Sequence, residues 1–128
     1  MPKIAVRIEA ARVADEKRGT QVLVLDVQES FVIADFFVIA TGQNRRQIQA
    51  MADEMKHFLV AHGVKRAWMD GYESGRWVLL DFGDVIVHLF NEEAREYYQL
   101  ELLWEDAPRL DWAAELKAQA AQARRASP

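Results

Sequence analysis

The 128-residue sequence has no cysteine, and it contains only 3 histidines and 3 prolines. The missing cysteine excludes disulfides, thiol nucleophiles and thiolate metal sites, and it suits a reducing compartment such as the cytoplasm. No stretch approaches the roughly 18 apolar residues that a membrane-spanning helix needs. Arg7, Glu9 and Arg12 interrupt the apolar residues near the N-terminus, so this segment lacks the apolar run of a signal peptide. We therefore expect a cytoplasmic protein without a membrane segment.

Positive charge is also scarce. The chain has 16 Lys and Arg residues against 20 Asp and Glu residues, for a formal net charge of -4. A general nucleic-acid binder needs a basic surface that displaces counterions from phosphates, so direct nucleic-acid binding is not expected. Basic pairs at residues 45–46, 65–66 and 124–125 are scattered along the chain, and we interpret them as solvated surface. An acidic protein is better suited to a basic protein partner.

The residues that are present fit one globular domain. Hydrophobic residues make up 51% of the chain and charged residues 28%, as in ordinary globular proteins. A chain of this length buries roughly two-thirds of its unfolded surface. Residues 1–110 carry the hydrophobic periodicity of the domain. Residues 111–128 form an alanine-rich tail with high helix propensity but a thin apolar stripe, so we predict a weakly docked helix there.

Hydrophobic periodicity predicts an α/β or α+β fold with a mixed sheet of about five strands flanked by helices. Asn91 is the expected N-cap of one continuous helix that ends before Pro108, with Ala94 and Tyr98 on one side of it. The other boundaries follow from changes of period. Helices are predicted at residues 4–18 and 44–62, and strands at residues 20–27, 36–41, 64–70, 77–82 and 85–90.

Two aspartates invite an enzymatic interpretation. Metal-dependent nucleotidyl transfer needs two carboxylates on one strand face, whereas Asp81 and Asp84 are three residues apart and would point to opposite faces. The turn at Thr41–Gly42 resembles a phosphate-binding turn in placement, but it has one glycine, and a helix N-cap by Thr41 or Asn44 is the plainer interpretation. No cofactor or metal is expected. A small metal-dependent nucleotidyltransferase that uses Asp81, Asp84 and this turn is the alternative hypothesis.

The histidines give no signal of a metal or catalytic site either. His57 and His62 are five residues apart, not the four that place two ligands on one helix face. His88 shares a predicted strand face with Ile86 and Phe90, which is typical of a core or interface residue. No serine lies in a nucleophile elbow. The residues therefore predict no catalytic site.

A binding surface is better supported. Trp77, Leu79 and Asp81 alternate on one strand face, and aromatic residues crowd the helix that follows, with acidic residues beside them. Buried aromatics with a charged rim are the usual composition of an interface hot spot. Two plainer interpretations stay open: these rings fill the core, or the protein is an adaptor that only dimerises.

Four segments carry a resemblance to a known family. They are LDVQ (residues 25–28), IADFFVIATG (33–42), WVLLDFGDVIVHLF (77–90) and EAREYYQLELLW (93–104). In this order they resemble the ribosomal silencing factor family, also called the Iojap-like proteins.

The resemblance implies a homodimer with an α/β fold distantly similar to nucleotidyltransferases, but without their catalytic carboxylates. Such proteins are not enzymes. They bind ribosomal protein fourteen of the large subunit and sterically prevent subunit joining, which represses translation when nutrients are scarce. Contact with ribosomal RNA would be incidental. The contact surface implied for this chain comprises Trp77, Asp81, Asp84, Tyr98, Leu102 and Trp104, with the aromatics and the leucine as apolar anchors and the aspartates as partners for lysine or arginine.

Overall fold

A computed structural model describes residues 4–31 and 33–126. Within these residues the chain forms five helices and six strands around one sheet. In chain order the elements are α1 (Val6–Glu16), β1 (Thr20–Asp26), β2 (Phe36–Gly42), α2 (Arg45–Ala61), β3 (Trp68–Asp70), β4 (Trp77–Asp81), β5 (Val85–Asn91), α3 (Glu92–Tyr98), α4 (Leu100–Leu103), β6 (Arg109–Leu110) and α5 (Trp112–Ala126).

The six strands lie in the order β3-β4-β5-β2-β1-β6. The central pair β2 and β5 is parallel, and the other pairs are antiparallel. The predicted mixed α/β fold is thus confirmed. The sheet has one strand more than expected, because β6 pairs Leu110 with Val24 and Arg109 with Leu25. Two residues are too few to show the alternation by which a strand is recognised in a sequence.

One face of the sheet, here the helix face, packs against α1 and α2. The predicted stripe of α2 is confirmed, since Ile48, Met51, Met55 and Leu59 are fully buried there. Asn44 caps this helix by accepting a hydrogen bond from the Gln47 backbone N–H at 2.8 Å. The tail helix α5 docks on α1, and an Arg7–Glu115 ion pair of 2.6 Å joins the two helices.

The opposite face, here the second face, has its own apolar cluster. Its fully buried members include Leu25, Ile39 and Phe90. Helix α3 lies over β5 and β2 rather than over the outer strands. The second face is therefore well covered at its centre and more open at β3 and β4.

The predicted strand at residues 64–70 is wrong in its first half, because the strand begins at Trp68. The chain at the start of the predicted strand instead forms the C-terminal cap of α2. Gly63, at φ 99°, donates to the Val60 carbonyl at 3.1 Å, and the Val64 N–H donates to the Leu59 carbonyl at 3.0 Å. These are the two hydrogen bonds of a Schellman motif, which holds Val64 against the helix.

The prediction of one continuous helix after Asn91 is also wrong. The cap is confirmed, since Asn91 accepts from the Ala94 N–H at 2.7 Å, but Gln99 adopts the left-handed conformation at φ 45° and separates α3 from α4. Ala94 is buried and Tyr98 is exposed, but the two residues lie one helical turn apart on the side of α3 that faces the second-face cluster. The break turns Leu100 into the second-face cluster, and burial of that side chain offsets the strain at Gln99.

Candidate functional site

The open part of the second face carries a group of contacting aromatic side chains. The Trp77 ring on β4 lies 4.8 Å from the Tyr98 ring and 4.9 Å from the Phe90 ring, measured between centroids. Tyr97 contacts Tyr98 edge-on at 5.0 Å. Tyr98 is 44% exposed, so the group reaches from the core to solvent.

Trp68 extends this surface to the edge strand. It pairs with Asp81 across β3 and β4, and directly paired residues project to the same side of a sheet. Its side chain is 56% exposed. We define the aromatic face as Trp68, Trp77, Leu79 and Asp81 of the sheet together with Tyr97 and Tyr98 of α3. Sequence reasoning missed Trp68, although a large aromatic residue within the predicted strand at residues 64–70 is a signal that could have located it.

His88 lies beneath the aromatic face and fixes one of its rings. The Trp77 indole N–H donates a hydrogen bond of 3.1 Å to His88 Nδ1. His88 is only 5% exposed, and burial lowers its pKa to about 4. The ring is therefore neutral near pH 7, with its hydrogen on Nε2, because Nδ1 is the acceptor. Within the described residues Nε2 has no hydrogen-bond partner. Of the two interpretations that the sequence left open for His88, a core or an interface residue, its burial supports the first.

Asp81 is the acidic member of the aromatic face. It forms a 2.8 Å ion pair with Arg66 and also accepts from the Gly83 N–H at 2.8 Å. The hydrogen bond from Arg66 holds the pKa of Asp81 below its usual value, although partial burial opposes the shift. Asp81 is therefore an ionised carboxylate, and its ion-pair partner is a well-exposed arginine side chain.

Asp84 lies apart from the aromatic face. It is exposed in the turn between β4 and β5, and its backbone carbonyl accepts from the Asp35 and Phe36 N–H groups at 2.8 and 3.1 Å. Across the described residues, no group of three or more His, Asp or Glu side chains is arranged to hold a metal ion. Asp81 is engaged by Arg66, so the geometry does not favour the nucleotidyltransferase hypothesis.

A buried arginine holds the chain that presents Tyr98. The Arg95 guanidinium donates to Glu101 at 2.9 Å, to the Thr41 hydroxyl at 2.9 Å and to the Gln21 carbonyl at 3.0 Å. Burial lowers the pKa of Arg95, and the Glu101 charge opposes that shift. These hydrogen bonds tie α3 and α4 to the ends of β1 and β2. Thr41 is thus a partner of Arg95 and not the cap of α2.

The remaining residues of the predicted surface separate into two environments. Leu102 is 57% exposed on α4, beside the open cavity of about 640 Å³ that Arg95 and Glu101 line. Trp104 is half-buried and packs edge-on against Phe37 at 4.9 Å and Phe31 at 5.9 Å. The fold therefore brings Trp77, Asp81 and Tyr98 onto one face and leaves Asp84 at a turn and Trp104 within the second-face cluster.

Comparison with known proteins places this geometry in a family. The family model described as "Ribosomal silencing factor during starvation" matches residues 2–128. The chain belongs to the ribosomal silencing factor family. The match extends through α5, beyond the segments that carry the resemblance in the sequence.

Individual relatives agree with this assignment. The chain is 43% identical over 102 residues to the ribosomal silencing factor RsfS of Bacillus subtilis, covering 80% of this chain and 86% of the relative. A crystal structure of a Chromobacterium violaceum protein superposes with a TM-score of 0.75 at 32% identity, covering 80% of this chain and 88% of that one. A mouse protein named "Mitochondrial assembly of ribosomal large subunit protein 1" is 29% identical over 92 residues, which span 40% of its length.

Membership assigns the chain a ribosome-associated silencing role. The family is named for silencing and not for a catalysed reaction, which fits a regulator that is not an enzyme. In the part of the chain that the structure describes, none of the helices has the length and apolar character to cross a bilayer.

Proposed function

We propose that this ribosomal silencing factor binds the large ribosomal subunit through its aromatic face and thereby blocks joining of the small subunit. Its contact there is ribosomal protein fourteen, as the resemblance implies. The factor acts in the cytoplasm by occupying space, and translation falls when nutrients are limiting. A family role in ribosome silencing and an exposed aromatic surface on the same chain carry this proposal.

The composition of the aromatic face supports a protein partner. Exposed Trp68 and Tyr98 flank the half-buried Trp77, and tryptophan and tyrosine are enriched among residues that dominate interface energies. Trp77 contacts three neighbouring rings, and its indole N–H is already bonded to His88. The face is thus largely preorganised, which reduces the entropy lost on binding.

The negative charge of the chain supports a basic partner. Asp81 lies on the aromatic face, Glu105 and Asp106 are exposed after α4, and the formal net charge of the chain is -4. Ribosomal proteins bind an RNA polyanion and are generally basic, so these acids complement such a partner. The large subunit is favoured as the target because the name of the mouse relative refers to it.

Ribosome co-sedimentation tests the proposal directly. Purified large subunits are incubated with the factor and then with small subunits, and sucrose gradients separate free subunits from intact ribosomes. We expect the factor to travel with large subunits and the yield of intact ribosomes to fall as factor is added. Unchanged subunit joining at a stoichiometric excess of factor would overturn the proposal.

The partner and the oligomeric state need separate measurements. Calorimetry with purified ribosomal protein fourteen tests the partner, and we expect saturable one-to-one binding that Tyr98→Ala weakens. Sedimentation equilibrium of the free factor tests the predicted homodimer. A monomer at all concentrations contradicts the homodimer but leaves the anti-association role standing, because steric occlusion needs only one bound copy.

A further inference from the structure

The fold gathers basic residues that lie far apart in the sequence. Thr20 pairs with Thr41, Thr41 pairs with Phe90, and Phe90 pairs with Trp77. The start of β1, the end of β2 and the start of β4 therefore lie at one end of the sheet. The cations next to these strand ends are exposed. We define the basic edge as Lys17, Arg18, Arg45, Arg46 and Arg76.

Hydrogen bonds hold the segments of the basic edge together. The Gln47 side-chain amide donates to the Lys17 and Arg18 carbonyls, each at 3.0 Å, and so joins the end of α1 to the first turn of α2. Arg45 donates to the Glu73 carbonyl at 3.3 Å and so reaches the loop that leads to Arg76. That loop packs closely, since a Cβ atom on Gly75 would lie 2.4 Å from Arg45 Cγ. The basic edge is therefore a fixed feature of the fold.

The charges of the basic edge are not neutralised by ion pairs. Among the described residues, ion pairs are formed by Arg7, Arg12, Arg66 and Arg95, and by none of the five cations of the basic edge. Glu16, the acid before Lys17, is bonded to Arg12 at 2.7 Å. Acids also lie at this end of the sheet, since Glu92 lines a cavity with Thr20 and Thr41, and Glu73 is exposed in the loop before Arg76. Within the described residues neither acid forms an ion pair with a cation of the basic edge.

Two of these cations occupy positions that are unfavourable for helix stability. Arg45 and Arg46 are the first residues of α2, whose first turn contains no acidic residue. The positive end of a helix dipole disfavours cations. A chain with a formal net charge of -4 thus concentrates positive charge where its own fold opposes it. Local features that oppose stability are typical of functional surfaces.

The basic edge adjoins the aromatic face but cannot serve the same partner. Arg76 precedes Trp77 directly, so a body that covers the aromatic face also reaches this edge. A basic ribosomal protein is repelled by five unpaired cations. The other main component of a ribosomal surface is RNA, whose phosphates attract lysine and arginine.

We infer that the basic edge binds the phosphate backbone of large-subunit ribosomal RNA beside the protein contact. This inference rests on the proposed function and adds a second, electrostatic contact to it. The RNA contact positions the factor and is independent of base sequence, because lysine and arginine contacts to phosphates carry no sequence information. It also makes binding to the intact subunit depend on salt concentration.

A matched pair of triple variants tests the inference. The edge variant carries Lys17→Gln, Arg46→Gln and Arg76→Gln, and it spares Arg45, which packs against Gly75, and Arg18, which has φ 67°. The control carries Lys56→Gln, Lys117→Gln and Arg125→Gln, which remove the same charge from exposed positions elsewhere. Thermal unfolding of both variants verifies that they fold as the wild type does.

Affinity is measured over a range of salt concentrations for intact large subunits and for purified ribosomal protein fourteen. We expect the edge variant to bind subunits at least about tenfold more weakly at low salt, since three phosphate contacts are lost. The slope of log affinity against log salt should become shallower by about 2, at about 0.7–0.9 for each contact. Its affinity for the isolated protein should equal that of the wild type, and the control should match the wild type in both assays.

Two outcomes would overturn the inference. In the first, the edge variant binds subunits with the affinity and salt slope of the wild type. In the second, it loses equal affinity for the isolated protein, which would assign the basic edge to an acidic part of that protein. If the proposed function itself is wrong, the result differs from both of these outcomes, because the wild type would then bind neither the large subunit nor ribosomal protein fourteen.

Discussion

The indole N–H of Trp77 donates its hydrogen bond to Nδ1 of His88, at 3.1 Å, across two antiparallel strands. A half-buried ring of the aromatic face is thereby fixed by a buried imidazole whose Nδ1 must be unprotonated to accept the bond. Protonated Nδ1 is a donor, so it would repel the indole N–H. The orientation of Trp77 consequently depends on the protonation state of His88.

Stability should fall between about pH 6.5 and pH 4 because of His88. Burial lowers its pKa from 6.5 to about 4 in the folded protein, so in this window the unfolded chain binds a proton that the folded protein excludes. The stabilisation is complete above the unfolded pKa and decreases as the pH falls, by about 3 kcal/mol in total. Urea unfolding across this pH range should show a smaller decrease in the free energy of unfolding for His88→Leu than for the wild type. His57→Gln, at an exposed position of α2, is the control and should follow the wild type.

The aromatic face should contain the energetic centre of the partner interface. Replacing Tyr98 or Trp77 with alanine removes a ring from the contacting group, so each should weaken binding to large subunits by about 2 kcal/mol, or about 30-fold. Val60→Ala, at a solvent-facing position of α2, should leave affinity unchanged. If Tyr98→Ala folds normally and binds like the wild type, the interface lies elsewhere on the molecule.

Asp81 and Arg66 should have opposite effects on partner affinity. Arg66 occupies the carboxylate that a lysine or arginine of the partner would bind, so Arg66→Gln should raise affinity several-fold and Asp81→Asn should lower it. Surface plasmon resonance with large subunits measures both variants. Lower affinity for both would indicate that the ion pair acts by ordering the end of β4 and not by competing with the partner.

Arg95 should be important for stability as well as binding. Arg95→Met leaves Glu101 and the Gln21 carbonyl without their donor, which should cost about 3 kcal/mol of unfolding free energy. Thr41→Val removes one hydrogen bond to the same guanidinium and should cost about 1 kcal/mol. Chemical denaturation gives both values. Equal costs for the two variants would show that Arg95 is not the anchor of α3 and α4.

Two glycines with positive φ should respond differently to alanine. Gly71, at φ 78°, has no room for a side chain, since a Cβ atom would lie 2.2 Å from the Trp77 carbonyl oxygen. Gly83, at φ 91°, has nothing within 4 Å of that position. Gly83→Ala should therefore cost only the backbone strain, about 1–2 kcal/mol, and Gly71→Ala clearly more. Thermal unfolding of the two variants makes the comparison, and similar costs would contradict it.

Most helices and strands could be predicted from the sequence because the signals that define them are local. Asn44 and Asn91 cap the helices they precede, and the alternation of Trp77, Leu79 and Asp81 places all three on the second face. What was missed depends on contacts between distant segments. The break at Gln99 follows from the burial of Leu100 and from the Arg95 hydrogen bonds to β1 and β2, and no pattern within residues 91–107 encodes either one.

The candidate site also depends on contacts between distant segments, which local sequence patterns do not show. Trp77 and Tyr98 could be named from the sequence, but Trp104 packs among Phe31 and Phe37, whereas Trp68 reaches solvent. Periodicity identifies which residues share a face but not how completely another segment covers that face. The basic edge was equally invisible, because Lys17, Arg46 and Arg76 become neighbours only when three strand ends meet.

The parallel pairing of β2 with β5 determines when the aromatic face of a newly made chain can be complete. Phe36 pairs with Val85, and β4 reaches the rest of the sheet only through β5. During synthesis, the strand that carries Trp77 emerges from the ribosome before the strand that carries His88. An unfinished chain therefore has neither a complete sheet nor an oriented indole, and the proposed docking surface is complete only when most of the protein has left the exit tunnel.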